Sequence, residues 1–171
     1  MSNEATVGPV ENFYTALAFA LNAKTIVELG TGSGYSTQAF LNALRYTGGI
    51  LYSVDLYPQA ENVKPTLIKF KDEKQVVFIT GDSIEVGNAW NRGPVDIVLC
   101  DSDHAKERVT GELDAWSRHM PKLFLIHDVV YLSPARHLAD PYYAGLEWAK
   151  KHQRKFFYLD IPNTPSVGMI V

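Results

Sequence analysis

The chain has 171 residues, 46% of them hydrophobic and 20% charged, and its formal net charge is −3. This suits one globular enzyme domain with a sizeable core, and the absence of an evident basic face disfavours nucleic acid as a partner. Cys100 is the only cysteine, which excludes a disulfide framework and favours a reducing compartment, the cytoplasm. The first residues do not resemble a signal peptide, and no apolar run approaches the roughly 20 residues that span a bilayer, so no membrane partner is expected.

Short apolar runs alternate with helical stretches along the whole sequence. Runs rich in Val, Ile, Leu and aromatic residues predict strands that are buried on both faces. These lie at Thr25–Leu29, Ile50–Asp55, Val76–Thr80, Asp96–Cys100, Lys122–Ile126, Lys155–Asp160 and Val167–Val171. Between them, helical patterns and end signals predict helices at Val10–Ala23, Gly34–Tyr46, Asn62–Asp72, Ser83–Asn88, Lys106–His119 and Pro141–His152.

The alternation predicts one α/β domain over residues 1–171, with an N-terminal helical segment over residues 1–24. Helices should cover both faces of a doubly wound, mostly parallel seven-stranded sheet. Only Ile161–Ser166 separates the last two strands. A parallel crossover needs more residues than that, so these strands should form an antiparallel hairpin. The expected fold is therefore Rossmann-like with an antiparallel C-terminal strand.

The segment Ile26–Thr37 combines a strand, a glycine turn and the start of a helix. Such a unit holds nucleotide-like ligands against the backbone. Its GxGxG spacing differs from the GxGxxG of dinucleotide-binding turns. The acid inside the strand, Glu28, would repel phosphate but suits a ligand with an ammonium group. The turn therefore favours a nucleoside without phosphate.

Acidic residues or histidines follow four successive strands after the glycine turn. Ligands bind at the carboxyl ends of strands in open α/β sheets, so these residues are expected at one rim. They are Asp55, Asp82 with Ser83, Asp101 with Asp103 and His104, and His127 with Asp128. Asp55 can accept hydrogen bonds from two ribose hydroxyls, and Asp82, assisted by Ser83, can accept one from an adenine amino group.

In order and spacing, these motifs resemble the class I S-adenosylmethionine (SAM)-dependent methyltransferases over nearly the whole chain. The motif (D/E)xGxGxG runs from Glu28 to Gly34, and the reversed last strand is also typical of the family. The resemblance implies that SAM is the cofactor, with its methionine tail at the glycine turn. It implies as cofactor-binding residues Glu28, Gly30, Thr31, Gly32, Ser33, Gly34, Tyr35, Ser36, Asp55, Leu56, Gly81, Asp82, Ser83 and Asp101.

Within that class, DSDH at Asp101–His104 and the His-Asp pair after the fifth strand resemble a subgroup of small O-methyltransferases. Some relatives bind a divalent metal through acids at these places, so the resemblance leaves a Mg²⁺ site at Asp101 and Asp128 open. His127 replaces the first acid of the expected pair, and Val129 stands where an asparagine would help. Both departures speak against the metal.

Methyl transfer to a hydroxyl requires a base. His104 and His127 are the best candidates because imidazole changes charge near working pH. Asp101 or Asp128 can orient or replace either one. The long segment Val129–Tyr143, which contains Arg136 and His137, is expected to line the acceptor pocket together with Met1–Tyr14.

The predicted reaction is methylation of an oxygen on a small-molecule acceptor, such as a sugar or a phenol, and N-methylation stays open. Either the acceptor site is shallow or a second subunit of a homo-oligomer completes it. One alternative is an NAD-dependent oxidoreductase, which would share the glycine turn and the ribose acid. Another is a non-catalytic nucleoside-binding or partner-activating module with the same fold.

Overall fold

The computed structural model of the protein describes residues 8–58, 60–130, 137–160 and 164–171. In these ranges, the helices are α1 Pro9–Ala20, α2 Tyr35–Thr47, α3 Lys64–Lys69, α4 Ser83–Asn88, α5 Lys106–Ser117 and α6 Asp140–Lys151. The strands are β1 Thr25–Leu29, β2 Ile50–Asp55, β3 Val76–Thr80, β4 Ile97–Cys100, β5 Leu123–His127, β6 Phe156–Leu159 and β7 Val167–Ile170. None of the helices in these ranges is long and apolar enough to cross a membrane.

The strands form one seven-stranded sheet in the order β3-β2-β1-β4-β5-β7-β6. Strands β1 to β5 pair in parallel, whereas β7 is antiparallel to both β5 and β6. This confirms the predicted Rossmann-like fold and its reversed C-terminal strand. The chain reverses its direction of winding between β1 and β4, which is where ligands bind in such sheets.

Apolar side chains from both faces of the sheet are buried under helices. Residues of α1 and α2 pack on one face, where the rings of Tyr14 and Phe40 stack with their centroids 5.6 Å apart. Residues of α5 and α6 pack on the other face, around Trp116 and Trp148. Burying one large apolar side chain stabilises a fold by about 1.5–3 kcal/mol, so these layers hold the strand ends in fixed positions.

Most predicted elements agree with the structure to within one or two residues, but two helix predictions were wrong in extent. The third helix covers only Lys64–Lys69; it begins at Lys64 because Pro65 lacks an amide hydrogen and fits only in the first turn. The first helix ends at Ala20, short of the predicted Ala23, and Asn22 after it has a φ of 47°. A left-handed residue there ends the helical backbone.

Candidate functional site

The turn after β1 touches the end of β4 through Gly30. The amide of Asp101 donates to the carbonyl of Leu29 at 2.9 Å. Gly30 has a φ of 94°, and a Cβ atom there would clash with the backbone carbonyl of Asp101. Gly32 also has a positive φ, 46°, but a Cβ on it would meet open space. Position 30 therefore requires glycine for close packing against β4. At Gly32 the absence of a side chain leaves the backbone accessible to a ligand.

A cavity of about 260 Å³ lies on one side of Gly30, at the ends of β2 and β3. Its walls include six predicted cofactor residues: Gly30, Asp55, Leu56, Gly81, Asp82 and Ser83. The Asp55 carboxylate is fixed by backbone amides, because Oδ2 accepts from Thr31 at 2.9 Å and Oδ1 accepts from Tyr57 at 2.8 Å. Each oxygen retains a further lone pair for a hydroxyl donor.

Asp82 is held by the start of α4 and by an arginine. Its Oδ1 accepts from the amides of Ile84 and Glu85 at 2.9 and 3.1 Å, which caps the helix. Its Oδ2 accepts from Arg108 Nη1 at 2.7 Å. Burial opposes ionisation, but Arg108 and the two amides hold the pKa of Asp82 below its ordinary value. Asp82 is therefore a fixed carboxylate at the wall of this cavity.

Ser83 and Arg108 connect that wall to a buried carboxyl group. The Ser83 hydroxyl donates to Glu112 and accepts from Arg108 Nη2 at 2.8 Å. The hydroxyl predicted to assist adenine binding therefore already has two partners. Arg108 also lines the cavity, and the sequence analysis missed it. The spacing of four residues between Arg108 and Glu112 on a helix was the available signal.

A second cavity, of about 230 Å³, lies on the other side of Gly30. The glycine turn forms one wall, with the predicted residues Gly30, Thr31, Gly32, Ser33, Gly34, Tyr35 and Ser36. Glu11 and Tyr14 of α1 form another part, and Asp101 and His127 lie at the strand ends. Gly30 belongs to both cavities, so a ligand that crosses this residue can fill both.

Glu28 lies fully buried beneath the turn. Its Oε2 accepts from the hydroxyls of Thr37 and Ser53 at 2.7 and 2.6 Å, whereas Oε1 has no hydrogen-bond partner among the described residues. Burial raises the pKa of Glu28 to about 7, although neighbouring hydroxyls oppose the shift. In this position Glu28 joins β1 to the start of α2 and to β2, and so fixes the turn.

The ends of β4 and β5 bring together two carboxylates and two imidazoles. His127 Nδ1 lies 3.1 Å from Asp101 Oδ1 and 3.5 Å from Asp128 Oδ2. His104 Nε2 lies 3.6 and 3.7 Å from the same two oxygens. Asp128 has a φ of 52°, a left-handed conformation that aspartate tolerates better than most residues. All four predicted catalytic residues therefore form one cluster, which we call the Asp–His cluster.

Charges within the Asp–His cluster stabilise one another. Burial alone would lower the pKa of His127, but Asp101 and Asp128 outweigh it and raise the pKa to about 10. Hydrogen bonding to Asp101 also raises the pKa of His104. Burial opposes ionisation of Asp101, yet the two histidines hold its pKa below the ordinary value. The cluster therefore favours an ionised Asp101 next to an imidazolium at His127.

Three residues of the Asp–His cluster offer side-chain atoms that could together bind a metal ion. One ligand atom each from Asp101, His104 and His127 lies within 4.8 Å of the others. Mg²⁺ prefers oxygen ligands, whereas imidazole nitrogen suits first-row transition ions. The set therefore fits a transition ion better than the Mg²⁺ that the resemblance left open at Asp101 and Asp128. A bound cation would orient and acidify an acceptor hydroxyl.

The predicted acceptor-site loop, Val129–Tyr143, lies partly outside the described residues. Residues 131–136 are not described, and Arg136 is one of them. On either side of residues 131–136, Val130 and Leu138 form an antiparallel bridge. The Ser166 hydroxyl accepts from the amide of Val130 at 2.7 Å. The base of the segment thus packs beside β7, and its role at the acceptor pocket stays a prediction.

Comparisons with known proteins agree with this geometry. A family model described as "Methyltransferase domain" matches residues 27–129. The O-methyltransferase ankF of Aspergillus thermomutatus is 28% identical over 91 residues, which cover 53% of this chain and 38% of that protein. The chain therefore spans well under half the length of this relative.

Two solved structures illustrate the shared fold. An O-methyltransferase from Bacillus cereus in complex with S-adenosylhomocysteine (SAH) has a TM-score of 0.72 at 17% identity, covering 98% of this chain and 83% of that one. TomG from Streptomyces achromogenes, an O-methyltransferase involved in tomaymycin synthesis and solved with SAM, has a TM-score of 0.72 at 17% identity, covering 100% and 83%. Since the family model matches more than half of the sequence, this chain belongs to the methyltransferase domain family.

Proposed function

We propose that the protein is a SAM-dependent methyltransferase that methylates an oxygen of a small-molecule acceptor. The observation that carries this proposal is the junction of two cavities at Gly30, with Asp55 in one and the Asp–His cluster at the end of the other. A nucleoside with an amino-acid tail has the shape and polarity that this junction accommodates. The SAM and SAH found with the two solved relatives support the same cofactor.

In this proposal, each side of Gly30 binds one half of the cofactor. The Asp55 carboxylate accepts hydrogen bonds from the ribose hydroxyls, and Asp82 accepts one from the adenine amino group. Backbone around Gly32 approaches the methionine tail, where the start of α2 offers unpaired amides. Bound SAM supplies an electrophilic methyl group on a sulfonium sulfur.

The Asp–His cluster then serves the acceptor. Methyl transfer to a hydroxyl forms an oxygen–carbon bond, breaks a sulfur–carbon bond and releases one proton. The His104 side chain is 47% exposed, so it can reach an acceptor, and we assign it as the base. His127 is more deeply buried between Asp101 and Asp128, where it orients the two carboxylates.

Three further expectations belong to this proposal. Cys100 is the only cysteine and is buried as a free thiol, which suits the cytoplasm. No nucleic-acid partner is expected from the formal net charge of −3. A homo-oligomer remains one way to complete the acceptor site, and an amine is the alternative acceptor.

The test is release of SAH when the protein is incubated with SAM and a panel of phenols, sugars and amines. The proposal expects SAH and a methylated hydroxyl product, with Asp55→Ala requiring much more SAM to reach the same rate. SAH formation only with amines would overturn O-methylation. No SAH with any acceptor, together with tight SAM binding, would favour the non-catalytic module.

A further inference from the structure

Tyr14 of α1 carries a buried hydroxyl group that the proposed reaction does not yet use. The residue is 1% exposed, and its ring is fixed by stacking on Phe40 at an interplanar angle of 14°. Its hydroxyl makes no hydrogen bond to any residue that the structure describes. Buried polar groups are nearly always paired, so this hydroxyl calls for a partner that is absent from the ligand-free chain.

The surroundings of this hydroxyl point to a ligand. Tyr14 lines the second cavity together with the glycine turn and with Asp101 and His127 at the strand ends. Burial raises its pKa well above the usual value, and nearby carboxylates raise it further: Asp101, Glu11, Asp128 and Glu28. The phenol is therefore neutral at working pH, and the carboxylates around it make the field at its hydroxyl negative.

That field distinguishes the two charged groups of an amino-acid tail. A carboxylate beside Tyr14 would be repelled by the nearby acids, whereas an ammonium group would be attracted. In the part of the wall formed by the glycine turn, the 13-residue helix α2 begins after Gly34, and helix starts favour anions. The two parts of the wall therefore suit an ammonium group near α1 and a carboxylate near α2.

We propose that the Tyr14 hydroxyl oxygen accepts a hydrogen bond from the α-ammonium group of the methyl donor. Tyr14 is then a cofactor-binding residue that positions the amino-acid end of SAM. This inference rests on the proposed function, because it assumes that SAM occupies the cavity. This role of Tyr14 could not be predicted from the sequence, because Tyr14 lies far from β4 and β5 along the chain.

The test is calorimetric binding to Tyr14→Phe, which removes only the hydroxyl oxygen. The matched control is Tyr46→Phe, at a tyrosine that is 81% exposed. Three ligands distinguish the contributions of the α-ammonium and the α-carboxylate of the amino-acid tail. SAH carries both groups, decarboxylated SAM keeps only the ammonium, and 5′-methylthioadenosine has neither. We expect Tyr14→Phe to bind SAH and decarboxylated SAM about tenfold more weakly, with no change for 5′-methylthioadenosine.

Two results would overturn the inference. Unchanged affinity for decarboxylated SAM would place the hydroxyl away from the ammonium group. Equal weakening for all three ligands would show a general structural defect. Wild-type protein that binds none of the ligands would instead refute the proposed function itself, so the two failures can be told apart.

Thermal unfolding of the ligand-free proteins gives a second readout. Removing an unpaired buried hydroxyl should leave the unfolding temperature unchanged or raise it slightly. Saturating SAH should then stabilise Tyr14→Phe less than it stabilises the wild type. A clear loss of ligand-free stability would mean that the hydroxyl has a partner within the protein, which contradicts the inference.

Discussion

His127 Nδ1 lies 3.1 Å from Asp101 Oδ1, at the point where the parallel strands β4 and β5 end side by side. These residues are 26 positions apart in the sequence, and only the pairing of the two strands brings them together. Because both belong to the wall of the second cavity, their charges act beside the proposed site of the methionine end of SAM. His104, which is more exposed than His127, brings its Nε2 to within 3.6 Å of the same Asp101 oxygen.

Replacing His104 with glutamine should reduce turnover without weakening cofactor binding. A positioned general base contributes about 100-fold or more to rate, so we expect kcat to fall by at least that factor. Steady-state kinetics would give kcat, and calorimetry would give the Kd for SAH. His152→Gln, at the end of α6, is the control and should behave like the wild type. An equal loss of activity and of SAH affinity in His104→Gln would contradict the assigned role.

Replacing Arg108 with methionine should weaken both folding and adenosine binding. Arg108 binds Asp82 and Ser83 and lies 3.7 Å from the buried Glu112. Loss of its charged hydrogen bonds should cost about 2 kcal/mol of unfolding free energy. The Kd for SAH should rise because Asp82 Oδ2 loses the partner that fixes it, while the two helix amides still hold Oδ1.

The control for Arg108 is Arg118→Met, since Arg118 is exposed at the end of the same helix. Urea denaturation and calorimetry of both variants would test the prediction. Unchanged SAH affinity in a destabilised Arg108→Met protein would limit Arg108 to a role in stability.

Replacing Glu28 with glutamine should change how stability depends on pH. The Glu28 carboxyl has a pKa of 4.5 in its ordinary state and about 7 in the buried site. Its proton is therefore held more tightly in the folded state, so folding is favoured at low pH. As pH rises through this range, ionisation of Glu28 should cost about 3 kcal/mol of wild-type stability.

Glu28→Gln should lack this loss, because glutamine does not ionise. The measurement is the difference in unfolding free energy between variant and wild type across that pH range. Glu61→Gln, at an exposed position, should show a constant difference. A difference that stays constant for Glu28→Gln as well would refute the raised pKa.

Titration with metal ions should show whether imidazole nitrogens or only carboxylate oxygens bind a metal at the Asp–His cluster. Its donor set predicts tighter binding of Co²⁺ or Zn²⁺ than of Mg²⁺. His127→Gln removes an imidazole and should weaken Co²⁺ binding strongly. Calorimetry with each chloride salt would show this. Mg²⁺ affinity that depends on Asp101 and Asp128 but not on His127 would instead support the Mg²⁺ site that the family resemblance left open.

The grouping of the acidic residues and histidines at the carboxyl ends of the strands could be predicted, because it follows from the parallel topology of the sheet alone. Apolar runs defined the strands, and residues such as Asp55 and Asp101 end a strand or follow it directly. Once the sheet is parallel, these positions must meet at one edge. The reversed strand β7 followed from the short connection after β6 for a similarly local reason.

Arg108 and Tyr14 could not be predicted as site residues, because their surroundings are set by packing. Arg108 reaches Asp82 across 26 residues of sequence, from one helix to the start of another. Tyr14 faces the glycine turn only because α1 packs beside α2. The shortened α3 has another cause: Pro65 marked the start of that helix, but no sequence signal marked its end.

Calorimetric titration of the wild-type protein with SAM, SAH and NAD is the decisive test of SAM binding. We expect SAM and SAH to bind at one site per chain, NAD not to bind, and Asp55→Ala to weaken the binding of SAM and SAH together. Binding of NAD without binding of either sulfur ligand would contradict it, and would favour the oxidoreductase alternative.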